Sequence, residues 1–319
     1  MRAVRGGRCS LAAVIMYYGG DVYSSVDPFA TALGSADGTV NFIGSDEAAL
    51  ALDAEAIDLG GDFLTPGFVH AGLLLDEAAP SPAALHDAGI AYVHALGDEA
   101  GIARFAADAP EGLTVIGYPE LAAGGSRAWL PAAALAELTA LPETSLYLVV
   151  ADAEELTAVL TRLAADPAHA QRWGYRLLLD FTVPASLVDD IGRTGVALTL
   201  DPSRDQPLAA LLSAGAQVSF VFAHESPWVS VRDAVIGSDG VGARAAFNAA
   251  TRFAHRAAGN PEGGVLRPGA AADYVRWRVE RLVVQVADPR VAAWSTDPAS
   301  GTPGLPELAP DVALPTRVS

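Results

Sequence analysis

The sequence predicts an α/β fold, a compact (β/α)8 TIM-like barrel beside a small β domain, and three observations carry that reading. Continuously apolar runs recur at residues 90–95 (IAYVHA), 113–118 (LTVIGY), 146–150 (LYLVV), 175–181 (YRLLLDF), 196–200 (VALTL) and 217–223 (QVSFVFA). Runs of that kind are strands of a parallel sheet buried on both faces. Helix-like stretches separate them, as parallel strands require. Upstream, short apolar runs alternate with turns, and the Asp37-Gly38 pair between two of them is a hairpin signal, because the tight turn needs positive φ.

Taken in order, residues 14–18 read as a first strand ending at Gly19-Gly20. Residues 57–71 (IDLGGDFLTPGFVHA) leave the small β layer and enter the first strand of the larger domain. Helices are expected at 83–89, 101–107, 130–141, 153–165, 184–193, 206–214 and 245–258. Seven or eight strands over about 200 residues is near the lower limit for a barrel. A doubly wound open sheet is the alternative, but no Gly-rich phosphate loop follows its first strand. Pro289, Pro298, Pro303, Pro306, Pro310 and Pro315 mark an irregular tail. The expected boundaries are 1–62 for the first part of the β domain, 63–262 for the barrel, 263–287 for the return to the β domain and 288–319 for the tail.

Composition bounds the function. The 319 residues are 51% hydrophobic, enough for a large core. A net charge of −18 disfavours nucleic acid and anionic membranes as partners. Every basic residue among the 20 is arginine, so a carboxylated-lysine metal bridge, a Schiff base and a lysine base are excluded. Cys9 alone allows neither an internal disulfide nor a multi-thiolate zinc site. Arg2, Arg5 and Arg8 precede an apolar run at 11–18, but the run is short and no small-x-small cleavage site follows. A cytoplasmic protein is expected, and no stretch is long and apolar enough to span a bilayer.

The entry segment resembles that of the amidohydrolase superfamily, D-L-x-G-x-x-x-x-P-G-F-V-D-A-H-x-H. It matches at Asp58, Leu59, Gly61, Pro66, Gly67, Phe68, Val69 and Ala71. Residues 264–275 (GVLRPGAAADYV) are similar to the family's return strand, and the helix at 245–258 to its A-x-x-x-A-T helix with Thr251 in place. The resemblance implies a β-sandwich formed from both chain ends around a (β/α)8 barrel. It also implies metal-dependent hydrolysis, with strand-borne histidines and an acid lowering the pKa of a metal-bound water. Here the ligand positions depart from the pattern. The two metal-binding histidines become Gly72 and Leu74, the next expected histidines fall at Val149 and at Leu179 or Asp180, and the catalytic Asp position is Glu225.

A degenerate, catalytically silent member is therefore expected, keeping a barrel-mouth pocket for a small-molecule ligand or a surface for a partner. Two other classes stand beside it: a hydrolase of non-peptide C–N bonds using a relocated site, and a structural subunit assembling with itself or a homologue. The relocated site would use His70, His94 and His224, at the carboxyl ends of the first, second and last strands, with Glu225, and Asp180 as a further ligand. Zinc is expected only if that site exists, and otherwise no cofactor. The alternative for these histidines is local hydrogen bonding without a shared task. His86, His169 and His255 read as helical and exposed, with no role. HESPW (224–228) lacks the glycines of a nucleophile elbow, and the five tryptophans read as packing residues.

Overall fold

A computed structural model describes residues 14–53, 55–122, 125–285, 294–295 and 303–318. The arginine-rich start and Cys9 lie outside the described residues.

Eight strands in chain order, Phe68–Leu74, Ile90–Gly97, Thr114–Pro119, Arg127–Pro131, Ser145–Val150, Arg176–Leu179, Ala197–Leu200 and Val218–Phe220, run parallel. The first three form one sheet and the last five another, with a parallel bridge Glu120–Trp129 between them. Six were legible as apolar runs and one as the entry segment; the fourth was expected to be part of a helix at 130–141. It is a strand because residues 127–131 take the edge of the 145–150 strand in register. The alanine-rich run beyond Pro131 is confined to a short 3-10 turn, Ala132–Glu137. The expected helix at 245–258 is two helices, Ala243–Ala250 and Arg252–Ala257. They break at Thr251 (φ −132°, ψ −89°), whose hydroxyl donates back to the Phe247 carbonyl at 2.7 Å.

Successive strand residues face opposite sides. Leu146, Leu148, Leu177 and Leu198 join the main core with Leu156, Leu160 and Ile191 of the covering helices Ala153–Ala164 and Val188–Thr194. Tyr147 and Leu178 face the other way, into a separate cluster. An aromatic group packs around Phe68, the first residue of the first parallel strand. Phe68 lies edge-on to Trp228 (5.1 Å), Phe247 (5.6 Å) and Trp277 (5.7 Å), and Trp228 stacks on Phe247 at 5.4 Å.

Two four-stranded sheets lie outside this unit. One orders Thr39–Gly44, Ala32–Ala36, Ile15–Tyr18 and Ile57–Asp58; the other orders Thr316–Arg317, Tyr274–Arg278, Phe63–Pro66 and Asp21–Val22. The Asp37-Gly38 turn has φ of 51° and 69°, as its two-residue hairpin demands. Residues 274–277 pair antiparallel with 63–66. Arg276 Nε donates to the buried Asp62 Oδ2 at 2.6 Å across that join. Val22, Leu33, Val40, Leu59, Leu64 and Leu266 share one apolar cluster drawn from both sheets.

The tail departs from the irregular course expected of its prolines. Leu305 pairs with Val283 and is buried, as is Leu308, while Thr316–Arg317 pairs with Trp277–Arg278. Of its described prolines, Pro306 closes the two-residue strand Leu305–Pro306 and Pro310 lies in a turn. Among the described residues no helix is long and apolar enough to cross a membrane.

Candidate functional site

The inner face of the parallel strands has two levels. Toward the carboxyl ends stand Leu74, Leu96, Ile116, Val149, Leu178 and Val221, with Tyr118 and Trp129, in one apolar cluster. Leu96 and Tyr118 are fully buried and Leu178 is 7% exposed, whereas Leu74, Ile116, Trp129, Val149 and Val221 are half-buried. Trp129 Nε1 donates to the Gly97 carbonyl at 3.2 Å, which holds its ring at this end. The carboxyl-end level is thus apolar, with aliphatic side chains beside Tyr118 and Trp129. At the level of Val149 the inward residue of the sixth strand is Leu178, in register with Val149 and Thr199, while Leu179 belongs to the helix-facing core.

Below the mouth lies a buried polar level. The Arg176 guanidinium, 1% exposed, donates from Nη1 to the Tyr147 hydroxyl at 3.0 Å and lies 3.1 Å from His94 Nδ1. From Nη2 it donates to the Tyr118 hydroxyl and, at 3.4 Å, to Ser145 Oγ. Its central carbon sits 4.1 Å from the Tyr147 ring centre and 4.6 Å from that of Tyr118. The Tyr147 hydroxyl donates to the Ala71 carbonyl. Among the described residues no carboxylate pairs with this cation; the charge is spread over two ring faces and neutral acceptors.

The neighbouring groups stay neutral. Burial, with Arg176 as the second cause, holds His94 well below its ordinary value. Burial lowers His70 to about 4, against a smaller opposing effect of its own carbonyl and that of Phe222. Burial pushes Tyr147 up to about 12 although Arg176 pulls the other way. His70 Nδ1, His94 Nε2 and Arg176 Nε are buried without a hydrogen-bond partner.

Of the residues singled out in the sequence, His70 and His94 share this buried region, and the other three do not reach it. His224 and Glu225 are exposed, with His224 Nε2 at 3.8 Å from Asp233 Oδ2. Asp180 is exposed and accepts from Arg204 Nη2 at 2.6 Å. They follow the strand ends into solvated loops, whereas His70 and His94 sit inside their strands. Among the described residues no group of three or more His, Cys, Asp or Glu side chains is placed to hold a metal ion. Sequence reasoning missed Arg176, Tyr118 and Tyr147. The available signal was one arginine inside an otherwise apolar strand, YRLLLDF, since a charge there must find a buried set of partners. His255 was expected to be exposed and is 2% exposed.

No protein-family model and no curated protein matches the sequence. Solved structures do match in fold. An uncharacterized metal-dependent hydrolase from Pyrococcus furiosus aligns with a TM-score of 0.63 at 12% identity, over 83% of this chain and 98% of that one. Atrazine chlorohydrolase TrzN from Arthrobacter aurescens TC1, solved with zinc, aligns with a TM-score of 0.54 at 17% identity, over 89% and 92%. An amidohydrolase from a Sargasso Sea environmental sample aligns with a TM-score of 0.56 at 14% identity, over 84% and 85%. In fold, the chain is therefore similar to metal-dependent hydrolases of the amidohydrolase type.

Proposed function

We propose that this chain is a metal-free, non-hydrolytic protein on an amidohydrolase-type barrel, with the two small sheets as its β-sandwich, and that its apolar mouth binds an apolar small molecule. The observation that carries this reading is Arg176: a guanidinium lies 3.1 Å from His94 Nδ1, in the interior where the fold's relatives would use histidine as a ligand. A divalent cation beside a fixed guanidinium, with two neutral imidazoles and no carboxylate, does not fit the donor sets such ions require. Gly72 and Leu74 stand where the resemblance places the first two ligands, and an imidazole at 72 would crowd Leu178 and Thr199, each 3.2 Å from a Cβ built there. Half-buried Leu74, Ile116, Trp129, Val149 and Val221 leave apolar surface at the mouth, which suits an apolar ligand.

Two measurements test the proposal. Elemental analysis of protein purified without chelator or His-tag is expected to find well under one metal ion per chain. Titration with an apolar probe such as 1-anilinonaphthalene-8-sulfonate is expected to quench Trp129, with the effect abolished in Leu178→Arg. About one zinc, iron or manganese per chain, lost in His70→Ala/His224→Ala, would sink the metal-free reading.

The second reading is a hydrolase of C–N bonds working through His224 and Glu225 with His70, His94 or Asp180. It is favoured by the pairing of His224 with Asp233 after the last strand and by zinc in a solved structure of like fold. Activity on an amide or triazine substrate that His224→Ala abolishes would establish it. Solution mass, alone and with co-purifying partners, tests the third reading, a subunit assembling with itself or a homologue; a monomer at micromolar concentration in both would refute it.

A further inference from the structure

A cavity of about 120 Å³ lies between the second parallel strand, the helix Arg252–Ala257 and the return segment before Tyr274. Its polar wall is made by Tyr92, His255, Asn260 and Asp273, and Gly263 and Gly264 close one side. The Tyr92 hydroxyl donates to Asp273 Oδ2 at 2.5 Å, and the imidazole of His255 stands edge-on to the Tyr92 ring at 4.4 Å. That hydrogen bond uses one carboxylate oxygen. No arginine or histidine forms an ion pair with Asp273 among the described residues, while the nearby Glu262 is already paired with Arg267.

His255 is the informative group. It is 2% exposed, its ring nitrogens make no hydrogen bond among the described residues, and the ring borders the cavity. A donor entering the cavity would supply the imidazole with a hydrogen-bond partner. Glycine at 263 leaves the room: a Cβ there would sit 2.5 Å from His255 Nδ1. Burial keeps the ring neutral, holding it to about 4, so it offers one acceptor nitrogen. A carboxylate without a cation and an imidazole acceptor, facing a space of a few heavy atoms, match a ligand that is small, positively charged and rich in N–H donors.

We propose that this cavity binds a small primary ammonium ion, gripped by the Asp273 carboxylate and the His255 imidazole beside the Tyr92 ring. The Tyr92 hydroxyl holds the carboxylate in place, and the glycine pair at 263–264 admits the ligand to the imidazole. The net charge of −18 favours accumulation of cations at the surface and helps entry.

The test is a titration of the full chain, labelled with 13C-histidine, with methylammonium chloride, following the His255 ring resonance by NMR, with sodium chloride at equal ionic strength as control. Wild type is expected to show a saturable shift with methylammonium and none with sodium. Asp273→Asn, which keeps an acceptor for Tyr92, is expected to weaken binding at least tenfold. Gly263→Ala, which fills the cavity from the opposite side, gives the same readout should Asp273→Asn fail to fold. A shift that does not saturate, that sodium reproduces, or that persists unchanged in the folded variants overturns the proposal.

Discussion

Acidification is expected to unfold this protein through its buried imidazoles before its carboxylates titrate. His70 and His255 are 4% and 2% exposed, and burial lowers both from 6.5 to about 4. The folded values lie below the unfolded one, so the unfolded chain takes up protons first. The stability they contribute is therefore complete above about pH 6.5 and is lost progressively as the pH falls toward about 4. Between about pH 7.5 and about pH 5 the loss amounts to about 2 kcal/mol for each histidine, or about 4 kcal/mol for the pair. His94, lowered in the same direction, adds to the slope. Most carboxylates remain ionised at pH 5, so the window isolates the histidines. The assay is urea unfolding at half-unit pH steps, comparing wild type with His70→Gln and His255→Gln. Each variant should remove about 2 kcal/mol of the pH-dependent loss, whatever its own stability at pH 7.5. Equal losses in wild type and both variants would refute the reasoning.

Arg176→Met should destabilise the fold by roughly 2–4 kcal/mol in urea unfolding, because Tyr118, Tyr147 and His94 are left without their donor, an effect partly offset by no longer burying a cation; a more stable variant would show that the guanidinium is a burden. Gly89→Ala should cost about 3 kcal/mol or prevent folding, since φ is +89° and a Cβ would lie 2.4 Å from Trp277, giving a lower urea midpoint than wild type. Trp277→Phe should cost about 1–3 kcal/mol, having lost a 2.9 Å hydrogen bond to Thr65 and contacts with Phe68 and Trp228. Asp62→Asn should weaken the join between the Phe63–Pro66 and Tyr274–Arg278 strands, read as faster amide exchange at 63–66 with the 197–200 strand unaffected.

Much of the architecture was legible because it is written in local terms. The apolar runs at 90–95, 113–118, 146–150 and 217–223 could be little other than buried strands, and Asp37-Gly38 announced its turn. The strand at 127–131 was hidden because its stability comes from an edge offered by residues 145–149, distant in sequence, while the adjoining alanines advertise helix. The break at Thr251 was equally hidden, being decided by one hydroxyl that turns back onto Phe247. For the site, the sequence put Gly72, Leu74 and Val149 where the resemblance expects ligands. It could not place His255 inside, because burial depends on which helix face meets the strands, or Asp180 outside, because that depends on where the strand gives way to a loop. Nor could it convey that Arg176 finds two tyrosines rather than an acid, a partnership among residues from three separate strands.

The pairing of residues 63–66 with 274–277 also sets an order of events during synthesis. The earlier strand emerges from the ribosome with about 200 residues still to be made before its partner exists, which at ordinary elongation rates is roughly 10–40 s. In that interval its buried-to-be Phe63 and Leu64 and one open backbone edge face the cell unprotected, and the eight parallel strands must form beside it. Thr316–Arg317 covers part of the other edge of the Tyr274–Arg278 strand only after about 38 further residues. This small sheet is thus begun before the parallel strands and completed after them, so it is the place where slow folding would leave this protein open to misassembly.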